Sequence, residues 1–188
     1  MLQLSKCIAA GQGLAPALLR RAASLELDWD LRQKSRFDAT DSLGRACAVF
    51  LPRGTLVRGG DVLVAEDGAL IRVLAAAQPL LRITCCQVHG SAFDLLRAAY
   101  HLGNRHVPIE LRPEYLQIEP DHVLAEMLRA MHLQVDAVDA PFEPEGGAYA
   151  PGGGHRAHSH GPAAAHGHSH AHAHQHAHDH GCGGEDSH

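Results

Sequence analysis

The sequence predicts an α+β protein in three parts, and three observations carry that reading. Between residues 24 and 77 apolar residues alternate or gather in short runs cut by glycine turns. From Leu80 to Val138 strand-like and helical periods follow one another, and beyond Pro141 the composition collapses to Gly, Pro, His, Ala and Ser. These place a small all-β domain at 1–77, a mixed domain at 78–140 and a tail at 141–188.

In the first part Leu25, Leu27, Trp29 and Leu31 alternate with Glu26, Asp28 and Asp30, so a strand with one apolar face is expected. Ala46 to Leu51 is a second apolar run, closed by Pro52, Arg53 and Gly54. Gly59-Gly60 and Asp67-Gly68 then bound two further strands, Asp61 to Ala65 and Ala69 to Leu74, with Asp67-Gly68 as the hairpin turn. A unit of roughly 75 residues buries only a modest core, so it is expected to lean on a neighbour.

After Pro79, Leu80 to Cys86 reads as a strand. His89 to Leu102 has helical spacing, with Ala92, Leu95, Leu96, Ala99 and Leu102 on one face and Gly103-Asn104 as the stop. Val107, Ile109 and Leu111 form a strand that Pro108 confines to an edge or an early position. Tyr115 to Ile118 is another short strand. Pro120-Asp121 opens a second helix carrying Leu124, Met127, Leu128 and Met131, and Leu133 to Val138 closes the series. The order is βαββαβ, the split βαβ arrangement of ferredoxin-like domains.

Past Pro141 too little apolar surface remains to offset the entropy of ordering, so a disordered Gly/Pro linker and His-rich tail are expected. The 188 residues carry 16 Lys plus Arg against 21 Asp plus Glu, a formal net charge of -5, so no basic surface for nucleic acid is forced. No run approaches the ~18 apolar residues of a membrane-spanning helix. The N-terminal apolar stretch breaks at Gly11, Gln12 and Gly13 before a secretory core develops, so export is not expected. Cys7, Cys47, Cys85, Cys86 and Cys182 lack the spacing of a disulfide framework or a thiolate metal pair, which fits a reducing cytoplasm.

Histidine is the anomaly: of 17, twelve lie between His155 and His188. His166, His168, His170, His172, His174, His176, His178 and His180 recur at every second position, so a flexible segment lets any pair close on one ion. Imidazole suits Ni, Cu, Zn and Co, which points to a transition metal without choosing among them. The varied spacers, and the continuation through Cys182, are unlike an affinity tag. A tract of this kind is a reservoir, however, and does not explain two folded domains. The remaining histidines are His89, His101, His106, His122 and His132. His101 and His106 bracket Leu102-Gly103-Asn104-Arg105 at a helix end entering a strand, where a side chain can stand exposed; an ordinary surface histidine is the competing reading. No His-Glu-x-x-His segment, Gly-x-Ser-x-Gly elbow or phosphate-binding glycine loop appears, so no catalytic residue is assigned.

Three stretches resemble a known family. They are Arg32-Gln33-Lys34-Ser35-Arg36; Phe50-Leu51-Pro52-Arg53-Gly54-Thr55 running through Arg58-Gly59-Gly60-Asp61-Val62-Leu63 to Ala65-Glu66-Asp67-Gly68; and Ala99-Tyr100-His101-Leu102-Gly103-Asn104-Arg105-His106-Val107-Pro108, followed by Asp121-His122-Val123-Leu124. With the His-rich ending they run, in order, as in the UreE urease accessory proteins, a family of nickel metallochaperones. The resemblance implies a β domain that contacts partner proteins, a ferredoxin-like metal domain, and a homodimer whose interface holds one Ni(II) between His106 and its symmetry mate. His101 and His122 match histidines of some members and are candidate secondary ligands, with surface or capping roles as the alternative. Some members carry a further histidine where this chain has Pro120, which weakens any inference of a second site in the folded part. No role is assigned to His89 or His132.

The function implied is a carrier, not an enzyme. Nickel would pass to the urease apoprotein complex through the urease accessory GTPase, with the tail histidines as auxiliary ligands and Zn(II) or Cu(II) able to bind in vitro. The rival is a storage or detoxification protein that needs only the tail. A metal-dependent hydrolase would require three folded ligands, an open position and a carboxylate base, which nothing in the sequence arranges.

Overall fold

The computed structural model describes residues 1–86 and 90–146, which are organised around two sheets. The first is built from β1 (Leu2–Ile8), β2 (Ala23–Leu27), β3 (Arg36–Thr40), β4 (Ala46–Phe50), β5 (Val62–Ala65) and β6 (Leu70–Ala75), in the order β2-β6-β5-β1-β4-β3. Its pairs are antiparallel except β1 with β4 and β2 with β6, which run parallel. Leu4, Leu25, Leu63, Ile71 and Val73 are fully buried between its elements. Each such side chain contributes about 1.5–3 kcal/mol by leaving water.

This region is β-rich, not all-β as the sequence suggested, because two short helices interrupt it. They are α1 (Pro16–Arg21), with proline at its first position, and α2 (Trp29–Arg32). The strand expected through Leu31 therefore stops at Leu27. Asp28 is the reason: its carboxylate accepts the Leu31 N–H at 2.8 Å, an N-cap that starts a helical turn. The alternation still picked a buried set, since Leu25, Leu27 and Trp29 all lie inside. β1 escaped sequence reading because the ladder slips between Leu4 and Lys6, so the apolar alternation does not persist along it. The Asp67-Gly68 hairpin forms as expected, with Gly68 at φ +85°, where only glycine is unstrained.

The second sheet comprises β7 (Ala77–Cys85), β8 (Glu110–Leu111), β9 (Leu116–Ile118) and β10 (Leu133–Pro141), ordered β10-β7-β9-β8 and antiparallel throughout. With α3 (Ala92–Gly103) and α4 (His122–Ala130) the order along the chain is βαββαβ, as the periodicity predicts. Ile83, Leu95, Ala98, Leu102, Leu128 and Leu133 share one core. α3 starts at Ala92, not His89: the Asp94 carboxylate reaches back to the Ser91 N–H at 2.8 Å and fixes the entry. Its buried face is Leu95, Ala98 and Leu102; Leu96, expected inside, is 64% exposed. A helix turns about 100° per residue, so adjacent Leu95 and Leu96 compete for the inward position and only one wins. The strand expected over Val107 to Leu111 contracts to Glu110–Leu111, behind Pro108, and lies at the sheet edge.

The linker expected from Pro141 begins later. β10 is the opposite edge strand, where a proline is tolerated, and the strand runs through Pro141. Phe142 is then fully buried, stacked edge-on to Trp29 at 6.0 Å between ring centroids. Arg32, also fully buried, donates through Nη1 to Glu143 Oε1 at 2.6 Å, through Nη2 to the Phe142 carbonyl, and through Nε to the Leu27 carbonyl at 3.2 Å. Arg58 donates to the Pro144 carbonyl at 2.6 Å, and the Gly59 N–H to Glu143 Oε1 at 2.8 Å. The first sheet does lean on a neighbour, through the apolar cluster of Trp29, Leu80 and Phe142 and through this polar seal. Gly59 belongs to it through lack of bulk: a Cβ there would lie 2.8 Å from Glu143 Oε1. The 151–188 tail, His89, and residues 147–150 of the expected linker fall outside the described residues. No helix among those described is long and apolar enough to cross a membrane.

Candidate metal centre

His106 sits just past the end of α3. The helix closes at Gly103 with Asn104 as C-cap; the Arg105 N–H then bonds the Leu102 carbonyl at 3.0 Å and the His106 N–H the Gly103 carbonyl at 2.9 Å. That last turn throws His106 into the left-handed region, φ +57°, with an exposed side chain. A non-glycine residue there stores strain of about 1 kcal/mol or more. Strain alone does not single out His106, because His132 adopts φ +64° after α4.

His101 occupies the last turn of α3, half-buried, with its ring edge-on to Tyr100 at 5.5 Å; its carbonyl accepts from Arg105 Nη1 at 2.9 Å. His122 is the first residue of α4, exposed beside the capping carboxylate of Asp121, which accepts the Leu124 N–H at 2.9 Å. Among the described residues no three His, Cys, Asp or Glu side chains gather tightly enough to hold an ion. His101, His106 and His122 are thus not assembled into a three-ligand site within one chain. The eight alternating tail histidines lie outside the described residues.

Cys7 and Cys47 offer no alternative thiolate centre. Burial first, then Asp61, pushes the Cys7 thiol up to about 12, and Cys7 Sγ lies 3.6 Å from Asp61 Oδ2. Burial, then the Asp41 charge, also raises Cys47, which is 1% exposed. A thiol that stays protonated is a poor nucleophile and a poor metal ligand. Iodoacetamide at mildly alkaline pH should therefore spare Cys7 and Cys47 in the native protein and label both after denaturation, as read by peptide mass spectrometry. Rapid native labelling of Cys7 would contradict the assigned environment.

Sequence reading missed an exposed apolar stripe. Phe93, Leu96 and Tyr100, spaced three and four residues apart on α3, are 63%, 64% and 66% exposed, and Val123 on the first turn of α4 is 60% exposed. The signal was present as an i, i+3, i+7 pattern, but the neighbouring Leu95, Ala98, Leu102 set masked it.

Two family models cover nearly the whole body. The model described as the N-terminal domain of the UreE urease accessory protein matches residues 4–76, and that of the C-terminal domain matches residues 78–181. The chain belongs to the UreE family of urease accessory proteins. Similar relatives carry the same description. The urease accessory protein UreE of Polaromonas naphthalenivorans is 72% identical over 164 residues, covering 87% of this chain and 78% of its own. That of Albidiferax ferrireducens is 71% identical over 168 residues, covering 86% and 97%. That of Paracidovorax citrulli is 74% identical over 153 residues, covering 81% and 73%. These UreE relatives are named as accessory proteins and not as enzymes, and an accessory role implies contact with the urease machinery.

Proposed function

We propose that this chain is a cytoplasmic nickel metallochaperone that holds Ni(II) between two copies of itself and releases it to apo-urease by way of the urease accessory GTPase. The observation that carries the reading is His106: in a UreE-family chain, an exposed imidazole stands on a strained backbone turn with no three-ligand cluster among the described residues. A single imidazole is a weak site. A two-fold axis doubles it at no cost in new residues, because a self-complementary contact brings each residue onto its mate. The Phe93, Leu96 and Tyr100 stripe, on the helix that leads to His106, supplies the apolar surface such a homodimer would cover.

In this scheme the ferredoxin-like part, 78–140, carries the ion and the β-rich part, 1–77, meets partners. His101 and His122 act as secondary ligands, and the histidines from His166 to His180 collect metal and complete the shell. Few protein ligands leave coordination positions open, so the ion passes to a recipient by exchanging one ligand at a time. Zn(II) and Cu(II) compete for the same imidazoles in vitro. A storage protein would use the tail histidines alone and would have no delivery partner.

Metal titration of the full-length protein and of a chain ending at Gly146, with oligomeric mass and metal content followed together, tests the scheme. The shorter chain keeps Phe142 and Glu143, which the body needs. It should bind one nickel per two chains, and the full-length protein more. One ion per chain, or none, in the shorter protein would sink the shared site. Co-purification with the GTPase or urease subunits separates delivery from storage.

A further inference from the structure

The charges of the body are not evenly spread. Residues 1–77 hold ten basic and eight acidic side chains, whereas residues 78–140 hold five basic and eight acidic. Of the ten, Arg32, Arg45 and Arg58 are engaged in ion pairs. Three of the others, Lys34, Arg36 and Arg53, converge with Gln33 and Ser35 on one open cleft of about 380 Å³. All three are exposed, and none makes an ion pair among the described residues.

The cleft is held by backbone, so its cations are presented and not merely scattered. The Leu51 N–H bonds the Ser35 carbonyl at 2.7 Å, tying the segment after α2 to the end of β4. The Thr55 N–H bonds the Pro52 carbonyl at 3.1 Å, and Gly54 at φ +80° makes this a type II turn with Arg53 at its outer corner. Arg36 is the cross-strand partner of Phe50, so the two share one face of β3 and β4, and Phe50 is 47% exposed. Asp38, two residues on, is the nearest same-face carboxylate along β3 and pairs with neither Arg36 nor Lys34.

Arginine beside an exposed aromatic ring on a fixed scaffold is the composition of a protein interface. A small inorganic anion would leave Phe50 uncovered. A nucleic acid would ask for a basic body, and this one is close to neutral. We propose that the cleft of Lys34, Arg36 and Arg53, with Phe50 at its side, docks an acidic segment of the protein partner that takes the metal. The proposal rests on the delivery role set out above, and deepens it by naming the residues of the 1–77 part that recognise the recipient and the acidic chemistry they would take.

The test uses full-length, metal-free protein and two purified probes from the same host, the urease apoprotein complex and the accessory GTPase. Binding of each is measured by interferometry at low and near-physiological salt. Lys34→Glu/Arg36→Glu/Arg53→Glu should weaken binding to one probe by about tenfold or more and flatten its salt dependence, while Lys34→Gln/Arg36→Gln/Arg53→Gln gives an intermediate loss. Arg20→Glu/Arg21→Glu, which reverses exposed charges elsewhere on the same region, should change binding by less than about twofold. Nickel stoichiometry should stay that of the parent in every variant. Equal loss in the Arg20/Arg21 control, binding by the first variant within about twofold of the parent, or no binding of either probe by the parent would each overturn the proposal. So would displacement of the probe by inorganic phosphate beyond that caused by chloride of equal ionic strength, which would make the cleft a small-anion site. A parent that binds a probe through the cleft but takes up no nickel would reject the delivery role and leave the docking surface standing.

Discussion

His106→Ala, placed in a chain ending at Gly146, is expected to lower nickel affinity by more than about a hundredfold, beyond the 10–100-fold typical of losing an outer-shell partner. In the proposed homodimer one substitution would remove two ligands from a shared ion, so nothing comparable would remain on the axis. His132→Ala is the matched control, since His132 has the same left-handed backbone after α4 and no assigned ligand role. It should leave affinity unchanged. His106→Gly separates binding from folding. Glycine relieves the φ +57° strain, so it should lose the metal yet raise stability by up to about 1 kcal/mol. Calorimetry for nickel and thermal unfolding for stability read the two effects independently. Unchanged affinity in His106→Ala would return the folded metal site to His101, His122 or another residue.

Arg32→Ala should produce the largest loss of stability, roughly 3–5 kcal/mol, because it strips a buried cation from partners that remain. The Phe142 carbonyl loses its Arg32 donor, the Leu27 carbonyl keeps only the Ala76 N–H at 2.8 Å, and Glu143 keeps only the longer Arg58 contact at 3.3 Å and the Gly59 N–H. Glu143 is 26% exposed, so water offsets part of its loss and the lower end of the range is the better figure. The melting temperature should fall on the order of 10 °C. Combining Arg32→Ala with Glu143→Gln should cost less than the sum of the two, since both changes break the same Arg32–Glu143 ion pair. A fall in stability below about 1 kcal/mol would mean the seal is ornamental.

What the sequence disclosed follows the range of the interactions. The βαββαβ order was legible because each element rests on its own period, and Gly103-Asn104 and Pro120-Asp121 mark helix limits chemically. α2 was not, because one Asp28 cap overrides an alternation of four apolar residues. The inward face of α3 was half-read, because Leu95 and Leu96 are both apolar and only the sheet beneath decides between them. His106 was located through resemblance; its left-handed turn had no sequence signal, since histidine is not the residue that conformation calls for. Within Arg32-Gln33-Lys34-Ser35-Arg36, the string alone offered no reason to send Arg32 inward and leave Lys34 and Arg36 outside. That choice is made by Phe142 and Glu143, more than a hundred positions away in the chain.

The distance has a consequence for how the protein is made. Synthesis runs from the N-terminus, and elements fold as they emerge. β1 to β6 are complete by Ala75, so the first sheet can assemble while α3 is still unmade. At that stage the Arg32 guanidinium has the Leu27 carbonyl and the charge of Asp28, but not its ion-pair partner Glu143. Glu143 is among the last described residues to be translated, so Arg32 waits for its ion-pair partner until the second sheet is finished. A chain released early, by a stop before residue 142, would carry that defect permanently and present itself to the cell's proteases as unfinished.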